Sequence, residues 1–171
     1  MSLFLWIFIL VSNQDPWRYF EAPDHSFSIY TPLAFETKND SIETALGLIS
    51  DQTFFCHHDG AVFMVSYWDY PAGTFHKDST ELIEEFFLVT IESAAESVSG
   101  TLLYEENLQY KGYPGKLWRV EFNDQKNGIK SKGFLVKDRF YLIQVISSLN
   151  KFATNPYPDR FLSSFKLLDE S

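Results

Sequence analysis

Cys56-His57-His58-Asp59 is the one place in the chain where a thiol, two imidazoles and a carboxylate stand together. Such side chains bind zinc or carry nucleophilic and acid–base chemistry. In an extended strand alternate residues share a face, so Cys56 and His58 point one way and His57 the other. Two ligands on one face do not close a tetrahedral site, and no Cys-x-x-Cys or His-x-x-x-His pair elsewhere completes it. No metal and no other cofactor is therefore expected. A nucleophilic Cys56 would need a nearby cation or helix N-terminus to lower its pKa. His76, ahead of a long helix, is the histidine placed to approach it. Cys56, His58 and His76 thus form the candidate reactive cluster of a cysteine-dependent enzyme. The alternative is a small thiol packed at a strand end.

Other groupings suggest binding rather than catalysis. Phe63, Tyr67, Trp68 and Tyr70, with Phe75, are residues of the kind that line an apolar pocket, although core packing accounts for them equally. Glu81, Glu84 and Glu85, with Glu92 and Glu96, fall in a stretch from Asp78 to Val98 that has no Lys or Arg. They read as a docking surface for a basic partner, or as a solvated face. Lys126, Lys130, Lys132, Lys137 and Arg139 cluster late in the chain and read as protection of an exposed sheet edge. No glycine-rich phosphate loop, Gly-x-Ser-x-Gly elbow or His-Glu-x-x-His is present.

The elements that must position these residues are mostly strands. Ser26–Tyr30 reads as a first strand closed by Thr31-Pro32. Ser41–Ile49 and Gln52–His57 follow, with Ser50-Asp51 as the turn between them. His58-Asp59-Gly60 is a hairpin signal, because Asp-Gly tolerates positive φ. Ala61–Trp68 is apolar on both faces and should be covered on both. A helix is expected over about Ser79–Val98, capped by Asp78 or Ser79 and ended by Ser99-Gly100. It carries two apolar stripes, Leu82/Phe86/Val89 and Ile83/Phe87/Ile91. Strands are expected at Thr101–Asn107, Leu117–Phe122, Ile129–Val136 and Phe140–Ser147. Their turns fall at Tyr113-Pro114-Gly115, Asp124–Gly128 and Lys137-Asp138. Phe140–Ile146 is again apolar on both faces and should be central. A short helix bearing Phe161, Leu162 and Phe165 ends the chain.

The 171 residues suffice for one domain, and 17 Phe, nine Tyr and four Trp favour strands. Net charge is −9, unevenly divided: −12 over residues 1–100 and +3 over the remainder. An acidic chain repels phosphate backbones, so no nucleic-acid partner is expected. The single cysteine forms no intramolecular disulfide. Leu3–Val11 is nine consecutive apolar residues, too short to span a membrane as a helix. It reads as the hydrophobic core of a secretory signal, residues 1–14, ahead of a single domain over 15–171. No basic residue precedes it, and a buried strand is the alternative.

Several markers in this order form a pattern: Trp17, Phe27-Ser28-Ile29-Tyr30-Thr31-Pro32, Tyr67-Trp68-Asp69-Tyr70-Pro71 before the long helix, Gly112-Tyr113-Pro114-Gly115, and Phe161-Leu162-Ser163-Ser164-Phe165. The pattern resembles the PsbP-like superfamily over most of residues 17–167, and especially its small bacterial envelope members. That superfamily includes an extrinsic photosystem II subunit and a Ran-GTPase release factor. The resemblance implies an α+β fold, an α/β/α sandwich with helices flanking a central antiparallel sheet. It also implies a non-enzymatic docking role, and it assigns no functional residue. The expectation is an exported, periplasmic or secreted binding or assembly-assisting module, partnered by a protein. A carrier for a small apolar ligand in an aromatic-lined cavity is the second expectation, and the cysteine enzyme the third.

Overall fold

The computed structural model describes residues 17–168 except 45, 46 and 77; the expected signal segment lies outside the described residues. Alternating patterns and two-residue turns build most of the chain into one large antiparallel sheet. Its strands are β3 (Glu36–Thr44), β4 (Gly47–His58), β5 (Ala61–Asp69), β6 (Thr101–Tyr110), β7 (Tyr113–Phe122), β8 (Asn127–Val136) and β9 (Arg139–Ser148). Their order in space is β3-β4-β5-β9-β8-β7-β6, which puts Phe140–Ile146 on the central strand. A small sheet, β1 (Arg18–Glu21), β2 (Phe27–Thr31) and β10 (Lys166–Leu167), forms a separate layer. The helices are α1 (Thr80–Ser97), α2 (Leu149–Thr154) and α3 (Tyr157–Ser164).

The β4–β5 hairpin turns at Asp59 and Gly60, with φ of 48° and 68°, the paired positive values of a tight hairpin turn. Two expected turns are displaced. Ser50 and Asp51 lie inside β4, paired with Ser41 and Asp40, so the chain reverses nearer Gly47. Tyr113-Pro114-Gly115 opens β7, because Lys111 and Gly112 take the positive φ values (51° and 83°) that make the reversal first. Ser79 occupies the cap position of α1, but its side chain makes no capping hydrogen bond. α2, β1 and β10 were not foreseen.

The two faces of the large sheet are covered differently. On one face, Phe54, Phe63, Val65, Tyr67, Tyr141, Ile143 and Val145 pack under Phe27 and Ile29 of β2, Phe161 and Leu162 of α3, and Phe165. Rings in this layer meet both edge-on, as at Phe63–Phe161 (5.3 Å, 75°), and stacked, as at Phe27–Phe165 (5.5 Å, 29°). Full burial of each such side chain contributes about 1.5–3 kcal/mol. On the other face α1 sets Phe87 and Ile91 against Trp118, Val120, Phe140 and Leu142. The fold is α+β, but the cover opposite α1 is a small sheet with α3 rather than helices alone, because β2 supplies Phe27 and Ile29 to seal it.

The edges are β3 and β6. They protect themselves with charge: Glu36, Lys38 and Asp40 on one, Glu105 and Glu106 on the other. The late basic residues do not serve that purpose. Lys130 and Lys132 stand on the interior strand β8 and hold α3, Lys130 at 2.6 Å from Asp159 and Lys132 donating to the Leu162 carbonyl. Burial, with Lys130 nearby, pushes the Lys132 pKa down. No helix among the described residues is long and apolar enough to cross a membrane.

Candidate functional site

β5 shows how the site arises. Its odd positions, Ala61, Phe63, Val65 and Tyr67, are buried under β2 and α3. Its even positions, Val62, Met64, Ser66 and Trp68, face the α1 side, and only Ser66 is fully buried. The reason lies in α1. The helix packs over β6 and β7 at the far side of the sheet, so it covers that face unequally. Its Phe87/Ile91 stripe is 1% exposed, whereas Leu82 and Val89 of the other stripe are 43% and 53% exposed. Between that flank and the strands β4, β5 and β9 runs an apolar trough of about 960 Å³.

One end of the trough is a cage of rings. Tyr70, Phe75 and Phe86 meet one another at 5.1–5.7 Å between centroids, all nearly edge to face. Phe86 meets Phe140 at 5.0 Å, and Trp68 stacks on Phe140 at 5.7 Å and 26°. Burial raises the Tyr70 pKa, which keeps that phenol neutral. Glycine is required beneath the cage, where a Cβ on Gly133 would stand 2.8 Å from Phe140 and 3.1 Å from Trp118. The loop carrying Tyr70 and Phe75 is tied down by Asp138 of the β8–β9 turn. Its carboxylate accepts the Gly73 and Phe75 N–H groups, each at 2.8 Å, and its carbonyl accepts the Tyr70 N–H. Burial acts to raise the Asp138 pKa, but these N–H donors outweigh it and the net shift is downward.

The floor carries a narrow polar strip. Strand register places Met64, Gln144, Ser131 and Trp118 in one row across β5, β9, β8 and β7. Gln144 Nε2 donates to Ser131 Oγ at 2.9 Å. The hydroxyls of Thr53 and Ser66 are 2.7 Å apart one step along. Trp118 is wholly buried, and its Nε1–H has no hydrogen-bond partner among the described residues. An apolar enclosure with a few grouped polar atoms has the composition of small-molecule sites.

The residues singled out in the sequence divide between several places. Trp68, Tyr70, Phe75 and Glu85 line the trough. Phe63 and Tyr67 belong to the sealed opposite face, pointing away from it. Glu84 is held by Lys116 at 3.2 Å, and Glu81 lies exposed in the first turn of α1. Met64, Ser66, Phe86, Phe140 and Gln144 were not foreseen. Their signal was present, since Ser66 and Gln144 are the polar residues that interrupt two otherwise apolar strands.

The structure does not gather the cysteine cluster. Cys56 is 3% exposed, lies 3.3 Å from Thr31 Oγ1, and pairs in register with Phe63. Burial raises its pKa, the reverse of what a nucleophile needs. His58 stacks on Tyr157 on the same face. His76 lies beside Gly73 and Asp138, past the other end of β5. The six residue steps from Phe63 to Asp69 alone span roughly 20 Å of strand. Among the described residues no three His, Cys, Asp or Glu side chains gather as metal ligands.

A second concavity, about 930 Å³, opens where the β1–β2 turn meets the β8–β9 turn. Three of its charged groups, Asp24, Asp69 and Arg139, are matched to one another. The Arg139 guanidinium takes Asp69 in two hydrogen bonds (2.5 and 2.9 Å) and Asp24 in a third (2.6 Å), and lies 4.3 Å over the Tyr67 ring. Burial opposes the Arg139 charge, but the Asp69 bonds prevail and its pKa rises. The cluster fastens the small sheet to the large one, which makes the trough the better candidate site.

Comparison with known proteins bears on the fold. No protein-family model matches the chain, and no curated protein sequence matches it. Among solved structures, it is similar to cyanobacterial PsbP (CyanoP) from Synechocystis sp. PCC 6803. The TM-score is 0.57 at 12% identity, over 92% of this chain and 95% of that one. A protein of unknown function from Pseudomonas aeruginosa aligns over 84% of this chain and 90% of that one, at 7% identity and TM-score 0.43. The first likeness establishes a PsbP-like fold.

Proposed function

We propose that the protein is a non-enzymatic binding module that holds a small apolar ligand in the trough between α1 and the sheet. The observation that carries this reading is the unequal cover of one sheet face. A sheet seven strands wide is sealed on one side and left with a ring-lined opening on the other. The volume suits a ligand of modest size. The Asp138 anchor fixes the Tyr70–Phe75 loop in advance, which lowers the ordering cost of binding.

The PsbP-like fold and the Leu3–Val11 run together support an exported protein, a bacterial envelope member of the PsbP-like superfamily. A docking role in assembly is the second reading. It draws on the exposed Leu88, Leu102 and Leu103, which lie outside the trough.

Native mass spectrometry of the full chain purified from its own host tests the first reading. A bound small mass is expected, and it should be lost in a Leu82→Asp/Val89→Asp variant. A clean apo mass for the unaltered chain would contradict ligand carriage. Fractionation of the same cells tests export: the protein is expected outside the cytosol, without residues 1–14.

A further inference from the structure

The acidic residues of α1 are not spread evenly round the helix. At about 100° per residue, Glu81, Glu85, Glu92 and Glu96 fall within about 60° of one another, and Val89 and Leu82 come next round the cylinder. The carboxylates therefore run beside the exposed apolar lip of the trough for roughly 22 Å of helix. All four are exposed, and the sequence places no Lys or Arg from Asp78 to Val98. Among the described residues none of the four is paired with a cation, whereas Glu84, off the stripe, takes Lys116 at 3.2 Å. The far lip is mixed, with Asp40 and Asp51 paired in register beside Lys38.

The open strip also has the width of a helix. Strands about 4.8 Å apart set β4, β5 and β9 across about 10 Å. That is room for one helix beside α1 at an ordinary interaxial spacing of about 8–10 Å. An apolar groove with one sign of charge along one lip suits an amphipathic helix of the opposite charge, whose long basic side chains lay their stems over apolar surface.

We infer that the mouth of the trough docks a basic amphipathic helix of a partner protein, its apolar stripe on Leu82, Val89 and the open strands and its Lys or Arg residues along Glu81, Glu85, Glu92 and Glu96. The inference goes beyond ligand carriage. It concerns the mouth and the outer side of α1, and it stands whether or not a small molecule occupies the interior.

A blocked Leu/Lys peptide of about 18 residues, the length of α1, tests it on the full chain by fluorescence anisotropy in about 0.1 M salt. Its Leu and Lys residues segregate to opposite helical faces. One control peptide has the same composition with the faces scrambled, and another has Glu for Lys. The neutral apolar molecule 2-acetylnaphthalene, titrated separately, reports the trough interior. The segregated Lys peptide is expected to bind roughly tenfold more tightly than the scrambled one, and the Glu peptide not at all. Glu81→Gln/Glu92→Gln/Glu96→Gln alters three exposed residues outside the trough lining. It should weaken the Lys peptide roughly fivefold, as the loss of three surface ion pairs would, and leave 2-acetylnaphthalene affinity unchanged. Equal binding of the segregated and scrambled peptides, or an unaffected Gln variant, would overturn the docking inference. So would a dimer of the chain itself that Leu82→Ser with Val89→Ser dissolves, because the mouth would then belong to a second copy. Bound 2-acetylnaphthalene in those cases leaves the ligand reading standing; failure of that probe alone removes the ligand reading and not this one.

Discussion

The two faces of the large sheet are made from the same strands and much the same residues, yet they end in different states. Under β2 and α3, Phe63, Val65, Ile143 and Val145 are each at most 1% exposed, and the layer is closed by rings from three elements. Under α1, the strands β7, β8 and β9 receive Phe87 and Ile91, but Met64 and Trp68 remain partly open beside the exposed Leu82 and Val89. The contrast follows from number and placement. A small sheet plus a helix spans the width of a face, whereas one 18-residue helix set over β6 and β7 does not. Apolar area left open on a folded domain has an energetic cost, and the binding proposal rests on this opening.

Substitutions should separate the faces. The largest effect is expected on the sealed side, where Phe63→Ala should cost about 3–5 kcal/mol in urea denaturation. That variant, while folded, should bind 2-acetylnaphthalene as before. Gly133→Ala comes next, because its new Cβ presses on Phe140 and Trp118. A loss of about 1–3 kcal/mol is expected, together with weaker probe binding. On the open side the pattern inverts. Leu82→Ser with Val89→Ser should change stability by about 0.5 kcal/mol or less, as surface sites do, yet weaken the probe by roughly fivefold for about 1 kcal/mol of lost apolar contact.

The smallest effect concerns acid. Asp138 has a folded-state pKa below its ordinary value, so its carboxylate supports the Tyr70–Phe75 loop at neutral pH. That support is lost as pH falls through the lowered value. Probe affinity should therefore hold steady down through the usual carboxylate range and decline below it. Asp138→Asn should show the weaker affinity at neutral pH as well. An unchanged Asn variant would break the link between the anchor and the trough.

Much of this architecture was legible in the residues. Asp59-Gly60 announced its hairpin, the apolar Phe140–Ile146 run its central strand, and the two stripes of α1 were visible as such. The destination of each stripe was not, since periodicity shows that a face is apolar but not what covers it. The same ambiguity grouped Phe63 and Tyr67 with Trp68: neighbours in sequence alternate across a sheet, and only strand pairing shows which face stays open. The basic residues misled for a related reason. Charge on a strand suggests an edge, but Lys130 and Lys132 are interior and satisfied by α3. The cross-strand row of Gln144, Ser131 and Trp118 needs a register that no local pattern supplies.

Methyl-resolved NMR during titration with 2-acetylnaphthalene compares the faces in one spectrum. Shifts are expected at Met64, Leu82, Val89, Leu142 and Ile146 around the trough, with Ile29, Val65, Ile143 and Val145 of the sealed layer unmoved. Shifts centred on the sealed layer, or none at all at saturating probe, would contradict the trough as the binding site.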